Sequence, residues 1–131
     1  MDLSLFLTAL SQLRAVLASF ANTRGERKRQ ADEVTRLVLT ACNETQAYLA
    51  DLRDDPNKRD RKRERKLSGD WQEAGIAMRG LGDEGEKVGN RFFEKAKFWS
   101  DPTGWTQEDV DRANISLQSI EEDSKKLLKL G

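Results

Sequence analysis

The chain has 131 residues, of which 37% are hydrophobic and 35% charged, with only two prolines. That balance fits one helical domain over 1–131 and excludes a sandwich, a disordered tail and a membrane-spanning protein. Lys+Arg and Asp+Glu number 23 each and histidine is absent, so there is no global field for nucleic acid or anionic lipid and no ordinary general base, imidazole metal ligand or neutral-pH switch.

A first helix is predicted over 3–21. Leu3, Phe6, Leu10, Leu13, Leu17 and Phe20 line its buried side, and Leu5, Leu7 and Val16 widen the stripe. Its remaining face, Ser4, Thr8, Ser11, Gln12 and Ser19, is polar without charge, as expected of a helix surrounded by others. The acidic start and Arg14 within the apolar stretch argue against a secretion signal, so a cytoplasmic protein is expected. Membrane action through 3–21 is a weak reading, because interfacial helices carry several Lys or Arg on the polar face.

The second helix is predicted over 25–53, where Ala31, Val34, Val38, Ala41, Thr45, Tyr48 and Leu52 alternate at spacings of three and four. Asp55 followed by Pro56 then has the residues of an aspartate cap with proline opening the next helix.

From 56 to 99 two patterns run together. Trp71, Ala74, Met78, Leu81, Gly85, Val88 and Phe92 form a heptad seam, while Ser68, Gly75, Gly82, Gly89 and Ala96 place a very small residue at every seventh position. A helical glycine costs about 1 kcal/mol relative to alanine, so the stripe predicts close approach of another helix. That helix is expected within the chain, the alternative being a homo-oligomer seam. The unbroken phase favours one helix over 56–99, about 64 Å long and reaching beyond its neighbours. A bend or break near 80–85 is the alternative, since Gly80 suits a helix stop and Asp83 with Glu86 suits a restart.

The Asp-Pro-Thr-Gly segment at 101–104 predicts a type I turn. Thr106 is then the cap of a last helix over 107–129, with Trp105 stapled onto Val110. Val110, Ala113, Leu117, Ile120, Ser124 and Leu127 supply its seam. Three such seams predict an all-α, elongated antiparallel bundle of four to five helices.

Two surfaces are candidates for function. The basic run Lys58, Arg59, Arg61, Lys62, Arg63, Arg65 and Lys66 is polar on almost every side, so it is expected to bury little and to protrude, fray or meet an acidic partner. Trp99 and Trp105 belong to an aromatic group with Phe92, Phe93 and Phe98, which serves either as an apolar partner anchor or as a plug in the core. Catalysis has no support: Cys42 lacks a histidine partner, no seam contains an acid for a carboxylate metal site, and neither metal nor cofactor is expected. The expected function is a non-catalytic protein–protein interaction module, as an adaptor, regulator or accessory subunit. The alternative is nucleic-acid binding through 58–66.

Overall fold

The computed structural model describes residues 3–55, 57–94 and 106–129. Five α-helices form there: α1 (Leu3–Ser19), α2 (Gly25–Asp54), α3 (Arg61–Met78), α4 (Gly82–Glu94) and α5 (Gln107–Leu127). No strand occurs among the described residues. A single 3-10 turn, Phe20–Asn22, closes α1, and Thr23 ties it off by donating both its N–H and its hydroxyl to the Phe20 carbonyl.

The helices close into a ring. α2 lies between α3 and α5, α4 packs on α3, and α1 completes the circuit against α4 and α5. The 30 residues of α2 give it a length of about 45 Å, which sets the long axis. Its neighbours run against it: Asp51 meets Arg63 and Glu44 meets Lys66 on α3, while Arg53 meets Asp111 near the start of α5. The all-α antiparallel bundle expected from the seams is the observed fold.

The seams point inward as their spacing requires. Leu10, Leu13 and Leu17 of α1, Val38, Ala41 and Tyr48 of α2, and Ala113 and Leu117 of α5 have no exposed surface. Trp71 of α3 fills the centre, edge-on to Phe6 with ring centroids 5.9 Å apart. Its indole N–H donates to the Thr45 hydroxyl at 3.0 Å, and that hydroxyl donates to the Ala41 carbonyl at 2.7 Å. The polar atoms of the central pair are thereby satisfied, as burial demands.

Of the two readings of 56–99, the single helix fails and the break near 80–85 holds among the described residues. α3 ends at Met78, residues 79–81 form a turn, and α4 starts at Gly82. Gly82 has φ +80°, a left-handed conformation that costs glycine nothing and strains other residues. Leu81, 5% exposed, plugs the turn, and Asp83 and Glu84 sit in the first turn of α4, where the helix dipole favours acids. The two helices fold back on each other. A Cβ added at Gly85 would lie 2.6 Å from the Met78 carbonyl oxygen, and one at Gly89 would collide with the Gly75 carbonyl oxygen. The glycine stripe is therefore the contact line of a helical hairpin, not one face of a rod. Gly75 and Gly89 each stand seven residues from Gly82, so a mirror-symmetric hairpin and a continuous heptad have the same spacing in sequence.

The start of α3 differs too. The cap is Asp60, whose carboxylate accepts from the backbone N–H of Lys62 at 2.9 Å and of Arg63 at 3.2 Å. Residues 57–60 are not helical, and Pro56 lies outside the described residues. Gly69, in the interior of α3, has nothing within 4 Å of where a Cβ would sit. Gly69→Ala is accordingly expected to raise the free energy of unfolding by about 0.5–1 kcal/mol through helix propensity alone. Denaturant titration at unchanged slope checks it, and a loss of stability would contradict the open surroundings of this position.

A candidate charged interface at the start of α3

The chain leaves α2 at Asp55, whose N–H donates to the Asp51 carbonyl at 3.0 Å. Asp55 in turn accepts from the N–H of Asn57 on its side chain and of Lys58 on its carbonyl, each at 3.0 Å. These bonds turn the chain back so that the basic run lies against the last turns of α2.

Glu64 organises the first turn of α3. It is only 4% exposed, and it accepts a short hydrogen bond from the Tyr48 hydroxyl and an ion pair from Arg59 Nε at 3.2 Å. The Tyr48 hydroxyl also accepts from the Asp60 N–H at 3.1 Å. One buried acid thus holds the tyrosine of α2, the arginine of the loop and, through the tyrosine, the cap of α3. Burial, then the hydrogen bond to Glu64, pushes the Tyr48 hydroxyl up to about 12, so it acts as a donor at any physiological pH.

Arg63 stacks over the same tyrosine, its guanidinium carbon 4.9 Å from the ring centroid, and pairs with Asp51. This combination of ring and carboxylate suits the planar fork of arginine. Lys66 reaches across to both carboxylate oxygens of Glu44, at 2.6 and 2.7 Å, and stands 3.6 Å from Asp70. The contact with Glu44 holds the Lys66 ammonium above its usual value.

The seven basic residues separate into two groups. Arg59, Arg63 and Lys66 meet acids of their own chain. Lys58, Arg61, Lys62 and Arg65 are exposed and have no ion pair among the described residues. Arg61, Lys62 and Arg65 lie within about one turn on the outer side of α3. The expectation that the run buries little holds for its cations, none of which is buried. Three of the seven are nevertheless docked: Arg63 and Lys66 meet acids of α2, and Arg59 meets Glu64 of α3 itself.

Sequence reasoning missed Glu64. It stands seven residues before Trp71 and, with Leu67, continues the seam of Trp71, Ala74 and Met78 toward the N-terminus. The expectation that no seam contains an acid is corrected on the same ground. The signal was a carboxylate in phase with a core, with Tyr48 in phase on the preceding helix.

The other candidate positions are quickly placed. Gly75, Gly82 and Gly89 belong to the α3–α4 hairpin, and Ser68 lies half-buried on α3. Ala96, Phe98, Trp99 and Trp105, the 101–104 turn, and the side chains of Phe92 and Phe93 lie outside the described residues. From Phe6 to Leu17 the apolar side of α1 lies in or against the core. No helix among the described residues is long and apolar enough to cross a membrane. Cys42 is fully buried, and burial, then the Glu121 charge, holds its thiol far above the usual range, so it is no nucleophile. Among the described residues no group of three or more acids and cysteines is placed to hold a metal ion. A groove of about 200 Å³ between α1 and α4, lined by Gln12, Val16, Glu84 and Val88 among others, is smaller than ordinary small-molecule sites. Comparison of the chain with family models, curated proteins and solved structures finds no match.

Proposed function

We propose that this chain is a non-catalytic helical-bundle module, an adaptor, regulator or accessory subunit, that docks an acidic protein surface through Lys58, Arg61, Lys62 and Arg65. The observation that carries the reading is the division of the basic run. Three of its cations hold the run in place, and four face outward with no acid among the described residues to neutralise them. A rigid, unneutralised cluster gains more from an acidic partner than a frayed one, because little ordering entropy remains to be lost on binding. Cytoplasmic location, and the absence of cofactor, metal and catalytic group, belong to the same proposal.

Nucleic-acid binding is the second reading, and it rests on the same four cations. Four phosphate contacts on duplex DNA give a logarithmic salt slope of about −3.6. The zero net charge supplies no long-range attraction to add to it. The test is a fluorescence titration of the full chain against poly-glutamate and against a short DNA duplex, between about 50 mM and about 200 mM salt. Wild type is compared with the triple variant Arg61→Glu, Lys62→Glu, Arg65→Glu. The proposal expects poly-glutamate to bind at low salt and the triple variant to bind at least about tenfold more weakly. Equal binding by the two chains overturns it. Tight duplex binding with a slope near the value above favours the second reading instead.

A further inference from the structure

Glu44 on α2 and Asp70 on α3 face each other across the seam between these helices, with a single ammonium, Lys66, between them. The two carboxyl groups lie within hydrogen-bonding reach of each other. The Oδ2 of Asp70 is shut off from solvent, and among the described residues no donor comes within hydrogen-bonding distance of it, the Lys66 Nζ stopping at 3.6 Å. A buried carboxylate oxygen without a donor is costly, and a second carboxylate beside it adds repulsion. Both costs vanish when one proton lies between the two acids, because a carboxyl–carboxylate hydrogen bond is charge-assisted and strong.

We propose that Glu44, Lys66 and Asp70 form a proton-operated clasp between α2 and α3, closed by one proton shared between the carboxyls and loosened when it leaves. With the proton in place, the cluster is one carboxyl, one carboxylate and one ammonium, and its charges balance. Without it, two carboxylates compete for one ammonium across the seam that seats the first half of α3.

The charges acting on Asp70 among the described residues are Glu44 from α2 and Lys66 from its own helix. Arg63, in the same groove, is committed to Asp51. Burial first, and then Glu44, raises the Asp70 carboxyl to about 6, while the hydrogen bond from Asp70 and the charge of Lys66 lower Glu44. The proton therefore resides mainly on Asp70. An unfolded chain releases that proton near the ordinary value of 3.8. The stabilisation is complete below that value and is lost as pH rises through about 6. Between pH 5 and pH 7 the folding constant is expected to fall about tenfold from this group alone. The background in this interval is quiet, because the chain has no histidine.

Two measurements on the full chain test the clasp. Carbon-detected NMR of the side-chain carboxyls follows Asp70 directly, and an inflection near pH 6 is expected. Denaturant titrations at pH 5 and pH 7 compare wild type with Asp70→Asn and Glu44→Gln. Wild type is expected to lose about tenfold in folding constant, Asp70→Asn to show a profile flatter by most of that factor, and Glu44→Gln, which leaves Asp70 buried, one flatter by a smaller part of it. An Asp70 inflection at or below the ordinary aspartate value, or the same pH dependence in all three chains, overturns the proposal.

Discussion

Glu64→Ala is expected to lower the free energy of unfolding by about 3–5 kcal/mol, the largest effect of any single substitution considered. The cost is not that of one ion pair. Arg59 has only 22% of its side chain exposed and loses its carboxylate, while the buried Tyr48 hydroxyl loses its acceptor and the Asp60 N–H keeps a tyrosine no longer held in place. Each polar group that loses Glu64 as its partner carries a desolvation penalty of its own. Glu64→Gln keeps the volume and an acceptor for Tyr48 but removes the charge that balances Arg59, so it is expected to fall between wild type and alanine. Denaturant titration of the three chains gives the order. Equal stability of Glu64→Ala and wild type would mean that the buried cluster contributes nothing. The same substitution is expected to free the start of α3, so amide exchange at residues 61–66 should accelerate more than at the centre of α5.

The second large effect is Gly89→Ala. Alanine is the better helix former by about 1 kcal/mol, and at an open position such as Gly69 that gain is what a measurement should read. At Gly89 the new Cβ would collide with the Gly75 carbonyl oxygen and lie 3.2 Å from the Arg79 nitrogen. Both obstacles are backbone, so relief requires α3 and α4 to move apart along the hairpin. Overpacking of this kind costs about 1–3 kcal/mol, and the net expectation is a loss of about 2 kcal/mol despite the better propensity. Thermal unfolding then shifts downward by several degrees. The two alanine substitutions are expected to have opposite signs, and matching signs would contradict the hairpin contact.

Much of the fold could be read from the order of residues. α1, α2 and α5 follow from leucine, valine and alanine recurring at three and four, and their boundaries match the predicted ones within a few residues. The hairpin could not be read in this way. A seam that continues through a rod and one that reflects about a turn place Gly75, Gly82 and Gly89 at the same intervals. The local signs of a break, Gly80 as a stop and Asp83 with Glu86 as a restart, do not outweigh that phase; the backbone conformation of Gly82 does. The cap of α3, expected at Asp55, was misplaced for a related reason. Asp55 and Asp60 are equally good caps locally, and the choice falls to Asp60 because its N–H reaches Tyr48 while Glu64, four residues on, turns inward. That choice depends on a tyrosine twelve residues upstream, beyond the range of a local pattern.

The candidate site was half legible. Charge clustering marked 58–66 as unusual, but spacing alone does not reveal which cations meet an acid on another helix. Pairing with α2 for Arg63 and Lys66, and with the buried Glu64 for Arg59, separates these three from the four that face outward. The hairpin also removes the glycine stripe as a docking seam, because its close contact is already filled from within the chain.

The hairpin is the claim on which this assignment of surfaces depends, and a distance across it decides the matter. Spin labels at Arg65→Cys and Asn90→Cys, read by pulsed electron resonance, report the separation of α3 and α4, since Cys42 is fully buried and unreactive. A continuous helix places these backbone positions about 37 Å apart at 1.5 Å per residue. A hairpin with helix axes 8–10 Å apart brings them to under about 20 Å. The shorter distance is the expected result, and a single population at the longer one would contradict the fold and the partition of the surface that rests on it.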